Sequence, residues 1–549
     1  RAGDRRVAAA VPCATTPSEV SRHKNPFGLT IICMMNGAES LVRTLVHNQV
    51  DVCFTNPGTS EMHFVAALDT VPGIRCVLGL FEGVVTGAAD GYYRMKDKPA
   101  STLLHLGPGL ANAAANLHNA KKAGSGIVNI VGEHALYHIK YDTPLTADIE
   151  GIARPFSHWV KTSPTSKTVA KDGAAAIQAA RGAPGQIATL ILPADTAWTE
   201  ADGVADTPET PQPPKPANED VVAAAKALKS GGSAAMLFIG GRALRAKGLE
   251  LAGKIAAKTG CKVQAAGGTA RIERGAGRVP VLRLHFVVET ALEMLKGTKS
   301  MVLVGAKAPA AFFAYPGKPS VLVPEGCEVS TLCPVDGDPI GSLEALAAEL
   351  GALNEKPVVA QPKRPDRPTG KFTLDGLGQA LGVTMPEGAI VVDESVTTGR
   401  GFFPFSVGAP PHDWLNNMGG SIGFGGPVAV GAAVACPDRK VICMIGDGSA
   451  MYTIQSLWTM ARENLDVCVM IFSNRNYKIL YSQLADVGAA NPGPRAIDML
   501  TLDRPTLQFT DLAKGMGVPA AKAHDLEELT KQLTYAMSTK GPYLIDVVM

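Results

Sequence analysis

Asp447 stands between two glycines in "MIGDGSAMYTIQ", where the hydrophobic run "KVICMIG" stops. That run has the composition of a buried strand, and "SAMYTIQSLWTMARE" after it carries helical spacing, so Asp447 falls on a strand-to-helix turn. Gly446 and Gly448 let a ligand approach the backbone, and the helix start that includes Ser449 favours phosphate, yet a bare carboxylate repels it. A cation between the two reconciles them. Twenty-seven residues on, "IFSNRNY" ends the next apolar run at Asn474. Neighbouring parallel strands would put both turns at one carboxyl edge, where ligands of open α/β sheets collect. A carboxylate, an amide oxygen and a backbone carbonyl are hard ligands suited to Mg²⁺ shared with phosphate. Taken alone, the GDG tripeptide reads equally well as a surface turn.

Such turns need sheets to carry them. Short apolar runs alternate with helical patterns from Asn36 to about Asp195, as in "VDVCFTNPG", "CVLGLFEG", "STLLHLGPG", "GIVNIVGEH" and "IATLILPAD". This alternation predicts a parallel sheet covered on both faces. The same style returns in "AAMLFIGG", "SMVLVGAK" and "SVLVPEG", and again in "AIVVDES", "KVICMIGDG", "DVCVMIFSN" and "GPYLIDVVM". Proline-rich stretches, "TPETPQPPKPANED" and "EKPVVAQPKRPDRPTGK", separate the three groups as linkers. The expectation is an α/β protein of three doubly wound parallel-sheet domains over 35–197, 220–351 and 372–549, with linkers 198–219 and 352–371 and the first and third alike in topology.

At 549 residues the chain exceeds one hydrophobic core. A hydrophobic content of 46% with 58 glycines describes a loop-rich globular enzyme. A net charge of +2 without a basic stripe gives no support for nucleic-acid binding. The ten cysteines are scattered, none as CxxC, which reads as free thiols in a reducing compartment, not a zinc site. The longest uncharged stretch, Asn416 to Pro437, is broken by six glycines and two prolines, so no membrane span is expected. Residues 1–34 read as a disordered or non-native leader, with a natural start at Met34 or Met35. A cytoplasmic location follows, and an organellar one only if the arginine-bearing leader is a genuine transit peptide.

GDG, twenty-five residues, then a strand-end Asn resembles the thiamine-diphosphate signature of the family that holds acetolactate synthases, pyruvate oxidases and benzoylformate decarboxylases. Ser473 replaces the first of the two asparagines usual there, leaving the ligand position intact. The resemblance implies Mg²⁺ held by the side chains of Asp447 and Asn474 and the backbone carbonyl of Asn476. In "CVLGLFEGVVTGAADGYYRM", Glu82 matches the glutamate that bonds N1′ of the aminopyrimidine; read alone, it is an acid favouring a helix start. "LNNMGGSIGFGGPVAVGAA" resembles the region that bends the cofactor, with Ile422 as wedge and the Gly420 carbonyl facing the 4′-amino group. "VVDESVTTG" resembles the diphosphate-side loop, with the Val396 backbone and Thr397 near the phosphates. The first domain would then bind aminopyrimidine and the third diphosphate. The first domain of one copy would meet the third of another in a homodimer or homotetramer.

"FTNPGTSEMHF", "LLHLGPG" and "PLTADIEGIARPFSHWV" resemble benzoylformate decarboxylase segments, putting Thr59 at an active-site serine position and His105 at an active-site histidine position. That enzyme's second histidine would fall in "GAKAPAAFFAYPG", where this chain has Phe312 and Phe313. The resemblance implies decarboxylation of a 2-oxoacid, after which the enamine is protonated to an aldehyde or joined to an aldehyde or second 2-oxoacid. An acetolactate synthase-type carboligase is the alternative. Its glutamine-containing substrate segment and its flavin-contacting segment have no match here, so flavin (FAD) is not predicted. A non-catalytic relative is disfavoured by the joint presence of Glu82, Asp447 and Asn474.

Overall fold

The apolar runs that end in glycine, proline or a small polar residue form strands, and the helical patterns after them return the chain to the starting edge; "SVLVPEG" is the exception, making only a bridge from Val321 to Ala310, and the strand after it is Glu328–Cys333. The computed structural model describes residues 35–549 and the backbone of Arg22–Lys24 and Thr30–Ile32. The leader and its transit-peptide reading lie outside the described residues, except for those two backbone segments.

Three parallel-dominated sheets result. The first runs, edge to edge, Arg75–Leu78, Val52–Asn56, Ala100–Leu104, Ile127–Glu133, Ile187–Pro193 and Trp159–Thr162, all parallel. The third runs His412–Asn416, Ile390–Glu394, Val441–Gly446, Val467–Ser473, Tyr543–Val548 and Ala520–Ala523, also parallel. Both follow the order 2-1-3-4-6-5, so the expected likeness of the two sheets is found. The middle sheet has five parallel strands, centred on Ala235–Ile239. One strand from the middle stretch of the chain, Ile272–Arg274, leaves it and pairs antiparallel with His412–Asn416 at the edge of the third sheet.

The uncharged stretch after Asn416 becomes the helix Gly425–Ala435, buried at all eleven residues. An all-round apolar helix belongs in a protein interior. It packs against Glu82–Lys96, joining the first and third sheets in one core. A Cβ on Gly431 would overlap the Ala88 carbonyl oxygen, and one on Gly91 the Val428 carbonyl oxygen, so the two backbones touch only because both positions are glycine. Arg94 lies buried beside this contact. It pairs with Asp90 at 2.7 Å, donates to the Asn416 carbonyl at 2.7 Å and lies over the Phe424 ring. Its charge is thereby matched inside the protein, as a buried guanidinium requires. Among the described residues no helix is long and apolar enough to cross a membrane.

Candidate active site

Val441–Gly446 and Val467–Ser473 are adjacent, with Gly446 level with Phe472, so the turns carrying Asp447 and Asn474 share one carboxyl edge. Asp447 is buried. Its Oδ1 accepts the Gly448 N–H at 2.8 Å and its Oδ2 the Arg475 N–H at 2.5 Å. Burial pushes its carboxyl above the ordinary range, and among the described residues no basic side chain forms an ion pair with it. Asn474 Oδ1 accepts the Asn476 N–H at 2.9 Å, and Asn476 Nδ2 donates to the Asn474 carbonyl at 2.9 Å. Ser449 is buried in the short helix Asp447–Ala450. A Cβ on Gly446 would meet nothing nearer than Ser449 Oγ at 3.9 Å, so the turn borders open space. A buried carboxylate without a cation, beside amide and carbonyl oxygens, fits Mg²⁺ completed by phosphate oxygens and water. Among the described residues no cluster of three His, Cys, Asp or Glu side chains exists as a competing metal site.

The turn 417–424 lies beside this edge. Asn417 Oδ1 accepts the N–H groups of Gly419 and Gly420 at 3.1 and 2.9 Å, which lets Gly420 take a left-handed φ of +78° that favours glycine. Ile422 follows, half-buried. Glu394, fully enclosed, receives the N–H groups of Gly423, Phe424 and Gly425 at 2.8, 3.2 and 2.7 Å. These are the orphan donors at the start of helix Gly425–Ala435. Burial pushes the Glu394 carboxyl up to about 7, against the opposing pull of those three donors. Two residues beyond Glu394, Val396 adopts φ +49°, an outlier for a β-branched side chain, and is exposed; Thr397 is half-buried.

On the first sheet, Glu82 opens the helix Glu82–Lys96, and Asn112 Nδ2 donates to its Oε2 at 3.0 Å. His105 ends the strand Ala100–Leu104 and caps the next helix, Leu106–Ala123. Its Nδ1 bonds Glu61 Oε2 at 2.8 Å, and the Gly58 N–H donates to the same oxygen at 2.7 Å. Burial raises the Glu61 pKa, while the His105 bond pulls the other way. Both Glu82 and His105 flank Gly109, where an added Cβ would lie 3.4 Å from Glu82 Oε1 and 3.3 Å from His105 Cβ. Thr59 is exposed on the turn Thr59–Glu61 that also carries Glu61.

The structure thus brings together Glu82 with His105, and Asp447 with Asn474 and Asn476. Sequence reasoning missed Glu61, Glu394 and a stripe of asparagines. Asn112, Asn116 and Asn119 recur at helical spacing in "ANAAANLHNA", and each bonds the start of the Glu82 helix or the turn 417–424. Asn116 Nδ2 donates to the carbonyls of Gly83 at 2.8 Å and Gly423 at 3.3 Å. Asn119 donates to the Ser421 carbonyl at 2.9 Å and accepts its N–H at 3.2 Å. One helix face therefore ties the residue after Glu82 to the turn that holds Ile422. Three polar residues on an alanine background at that spacing were the signal.

Two like α/β sheets present, one a buried carboxylate and amide oxygens beside a helix start, the other a carboxylate at a helix start, an arrangement that fits a phosphorylated cofactor. Residues 401–547 match the thiamine pyrophosphate enzyme C-terminal TPP binding domain, and residues 35–153 match the N-terminal TPP binding domain. The chain belongs to the thiamine pyrophosphate enzyme family. It is 51% identical over 516 residues to a Mycobacterium tuberculosis protein named, provisionally, acetolactate synthase large subunit IlvX, covering 94% of this chain and 99% of that one. It is 29% identical to the benzoylformate decarboxylase of Pseudomonas aeruginosa, over 90% of this chain and 95% of that one. Among solved structures, the thiamine diphosphate-dependent 4-hydroxybenzoylformate decarboxylase of Rhodococcus jostii superposes with a TM-score of 0.82 at 24% identity, over 94% of this chain and 99% of that one; this likeness is one of fold.

Proposed function

We propose that the protein decarboxylates a 2-oxoacid with thiamine diphosphate and Mg²⁺. The observation that carries this reading is the buried Asp447, with no side-chain ion pair among the described residues, beside Asn474 at one sheet edge, in a chain whose other like sheet offers Glu82 at a helix start. Asp447, Asn474 and the Asn476 carbonyl would hold the ion. Gly446, Gly448 and Ser449 at the helix start, with the Val396 backbone and Thr397 opposite, would receive the diphosphate. The Gly420 carbonyl would accept from the 4′-amino group, and Ile422 would separate the two rings. Glu82 would share a proton with N1′ of the aminopyrimidine, its carboxylate oriented by the Asn112 amide. When bound, thiamine diphosphate supplies the nucleophilic carbon and accepts the electron pair left by departing carbon dioxide. His105, held through Nδ1 by Glu61, would keep Nε2 for moving a proton at the substrate, and Thr59 lies on the turn that carries Glu61. In this reading Glu82 of one copy serves the third sheet of another, in a dimer or tetramer.

A second reading, an acetolactate synthase-type carboligase joining two 2-oxoacid-derived units, is supported by the 51% identity to the mycobacterial chain of that name. Supplying a panel of 2-oxoacids to the Mg²⁺- and thiamine-diphosphate-loaded enzyme, with and without acceptor aldehydes, and analysing products separates the two. Aldehyde as the sole product supports decarboxylation. A hydroxyketone or a 2-hydroxy-2-alkyl-3-oxoacid supports ligation. No carbon dioxide from any acid refutes both.

A further inference from the structure

The segment 308–316, "APAAFFAYP", carries no charge, and it presents large aromatic rings to the outside. Phe312 is 56% exposed and Phe313 51%, with Phe286 exposed beside them. The rings pack on one another: Phe286 and Phe312 lie 5.3 Å apart, Phe312 and Phe313 4.7 Å apart in an edge-to-face arrangement. Exposed clusters of this kind mark a surface that receives something apolar. Its location says what. A Cβ on Gly420 would come 2.9 Å from Phe312 Cζ, so the ring lies against the turn 417–424 at the residue whose carbonyl would accept from the cofactor's amino group.

The segment is also braced. Ala310 and Val321 form an antiparallel bridge, and the Ala311 N–H donates to the Ser320 carbonyl at 2.8 Å, closing a hairpin-like loop. Tyr315 Oη donates to Gln483 Oε1 at 2.5 Å, and Lys318 pairs with Asp486 at 3.0 Å and with Glu289 at 2.9 Å. Gln483 and Asp486 belong to the helix Lys478–Asp486, which begins two residues after Asn476. The rings are thereby fixed relative to both the turn 417–424 and the cation site. A wall tied to the reacting end of the site from two sides is set to contact what projects from the reacting carbon.

We propose that Phe286, Phe312 and Phe313 receive the side chain of the 2-oxoacid, and that the enzyme selects acids with a branched aliphatic or aryl side chain over pyruvate. The proposal rests on the thiamine reading above. Phe312 is the specificity-determining residue, since its ring is what lies nearest to a Cβ placed on Gly420. A methyl group is too short to use the wall. A charged side chain would lose its water against rings that offer no hydrogen bond in return.

The test uses the loaded enzyme and carbon dioxide release from 4-methyl-2-oxopentanoate, phenylglyoxylate and pyruvate. For wild type, kcat/KM for the two larger acids exceeds that for pyruvate by roughly tenfold or more, the scale on which apolar pockets discriminate. Phe312→Ala brings the ratio to within about threefold of unity, and Phe312→Leu restores part of it. A second arm needs no turnover: saturation-transfer NMR with 4-methylpentanoate, which lacks the reacting carbonyl, gives methyl signals with wild type that Phe312→Ala abolishes. A wild-type preference for pyruvate, a ratio unchanged in Phe312→Ala, or methyl transfer that persists in that variant overturns the proposal. Exchange of the C2 proton of bound thiamine diphosphate in wild type judges the thiamine reading separately. Its absence would remove that reading, and the binding arm would still decide the role of the wall.

Discussion

Replacing Glu394 with glutamine should reverse the stability order of variant and wild type as pH rises. Glu394 accepts three backbone N–H groups from fully enclosed surroundings. Glutamine keeps one acceptor oxygen, which can serve Gly423 and Phe424, but turns an NH₂ group toward the Gly425 N–H. Leaving one buried donor unpaired costs about 1–3 kcal/mol. The wild-type carboxyl carries a different cost. Burial raises its pKa from 4.5 to about 7. Between those values the folded chain holds a proton that the unfolded chain has lost, so stability falls as pH rises through that window and is level above it. A rise of that size corresponds to roughly 3 kcal/mol. Glutamine does not titrate, and the remaining groups, including the neighbouring Asp393 and Cys443, are common to both chains. At pH 5 the variant should therefore melt several degrees below wild type, and at pH 8 the gap should close or invert. Calorimetric or fluorescence melts of both proteins in the same buffers at pH 5 and pH 8 read this directly. An equal difference at both pH values would refute the claim that Glu394 is held as a buried, titrating acceptor.

Four further outcomes follow from the site. Asp447→Ala should abolish Mg²⁺-dependent binding of thiamine diphosphate, because the diphosphate loses its neutralising ion; unchanged affinity by calorimetry would rule out the cation site. Glu82→Gln should leave cofactor affinity in place while slowing exchange of the thiazolium C2 proton, followed by NMR; exchange as fast as in wild type would return Glu82 to a helix-start acid. His105→Ala should slow turnover by roughly 10²-fold or more, the usual loss for a positioned acid or base. Glu61→Gln should slow it less, and the double variant should be no slower than His105→Ala, since Glu61 acts through the imidazole; additive losses would break that link.

The central strands were legible because they are short apolar runs bounded by turn residues, and that length and punctuation separate them from a longer buried helix such as Gly425–Ala435. Asp447 and Asn474 were legible for the same reason: their positions on a sheet edge follow once the two runs are parallel neighbours. The path of Ile272–Arg274 was not. A three-residue strand carries no periodicity of its own, and its place at the edge of the third sheet is set by pairing with His412–Asn416 over a long sequence separation. Glu61 was hidden in a quoted motif because its function lies in a contact with His105, forty-four residues away. Glu394 was hidden because a carboxylate at a strand end reads as surface until the helix whose N–H groups it accepts is seen to start beneath it.

The asparagine stripe shows where sequence reading can go further. Asn112 contacts Glu82, Asn116 contacts Gly83 and Gly423, and Asn119 contacts Ser421. Asparagine is a poor helix former, so three on one face of an alanine-rich helix lower its intrinsic stability and need an offsetting set of contacts. Those contacts are the Glu82 carboxylate, the Gly83 carbonyl near a helix start and the Ser421 and Gly423 carbonyls of a glycine turn. The helix Leu106–Ala123 therefore acts as a strut. It fixes the start of the Glu82 helix and the turn that carries Gly420 and Ile422 against each other within one chain. The two sheets consequently cannot shift relative to one another without breaking amide bonds that are buried in the helix–helix contact. In an assembly whose sites each take Glu82 from one copy and the third sheet from another, that rigidity would hold the neighbouring sites in fixed relation to each other.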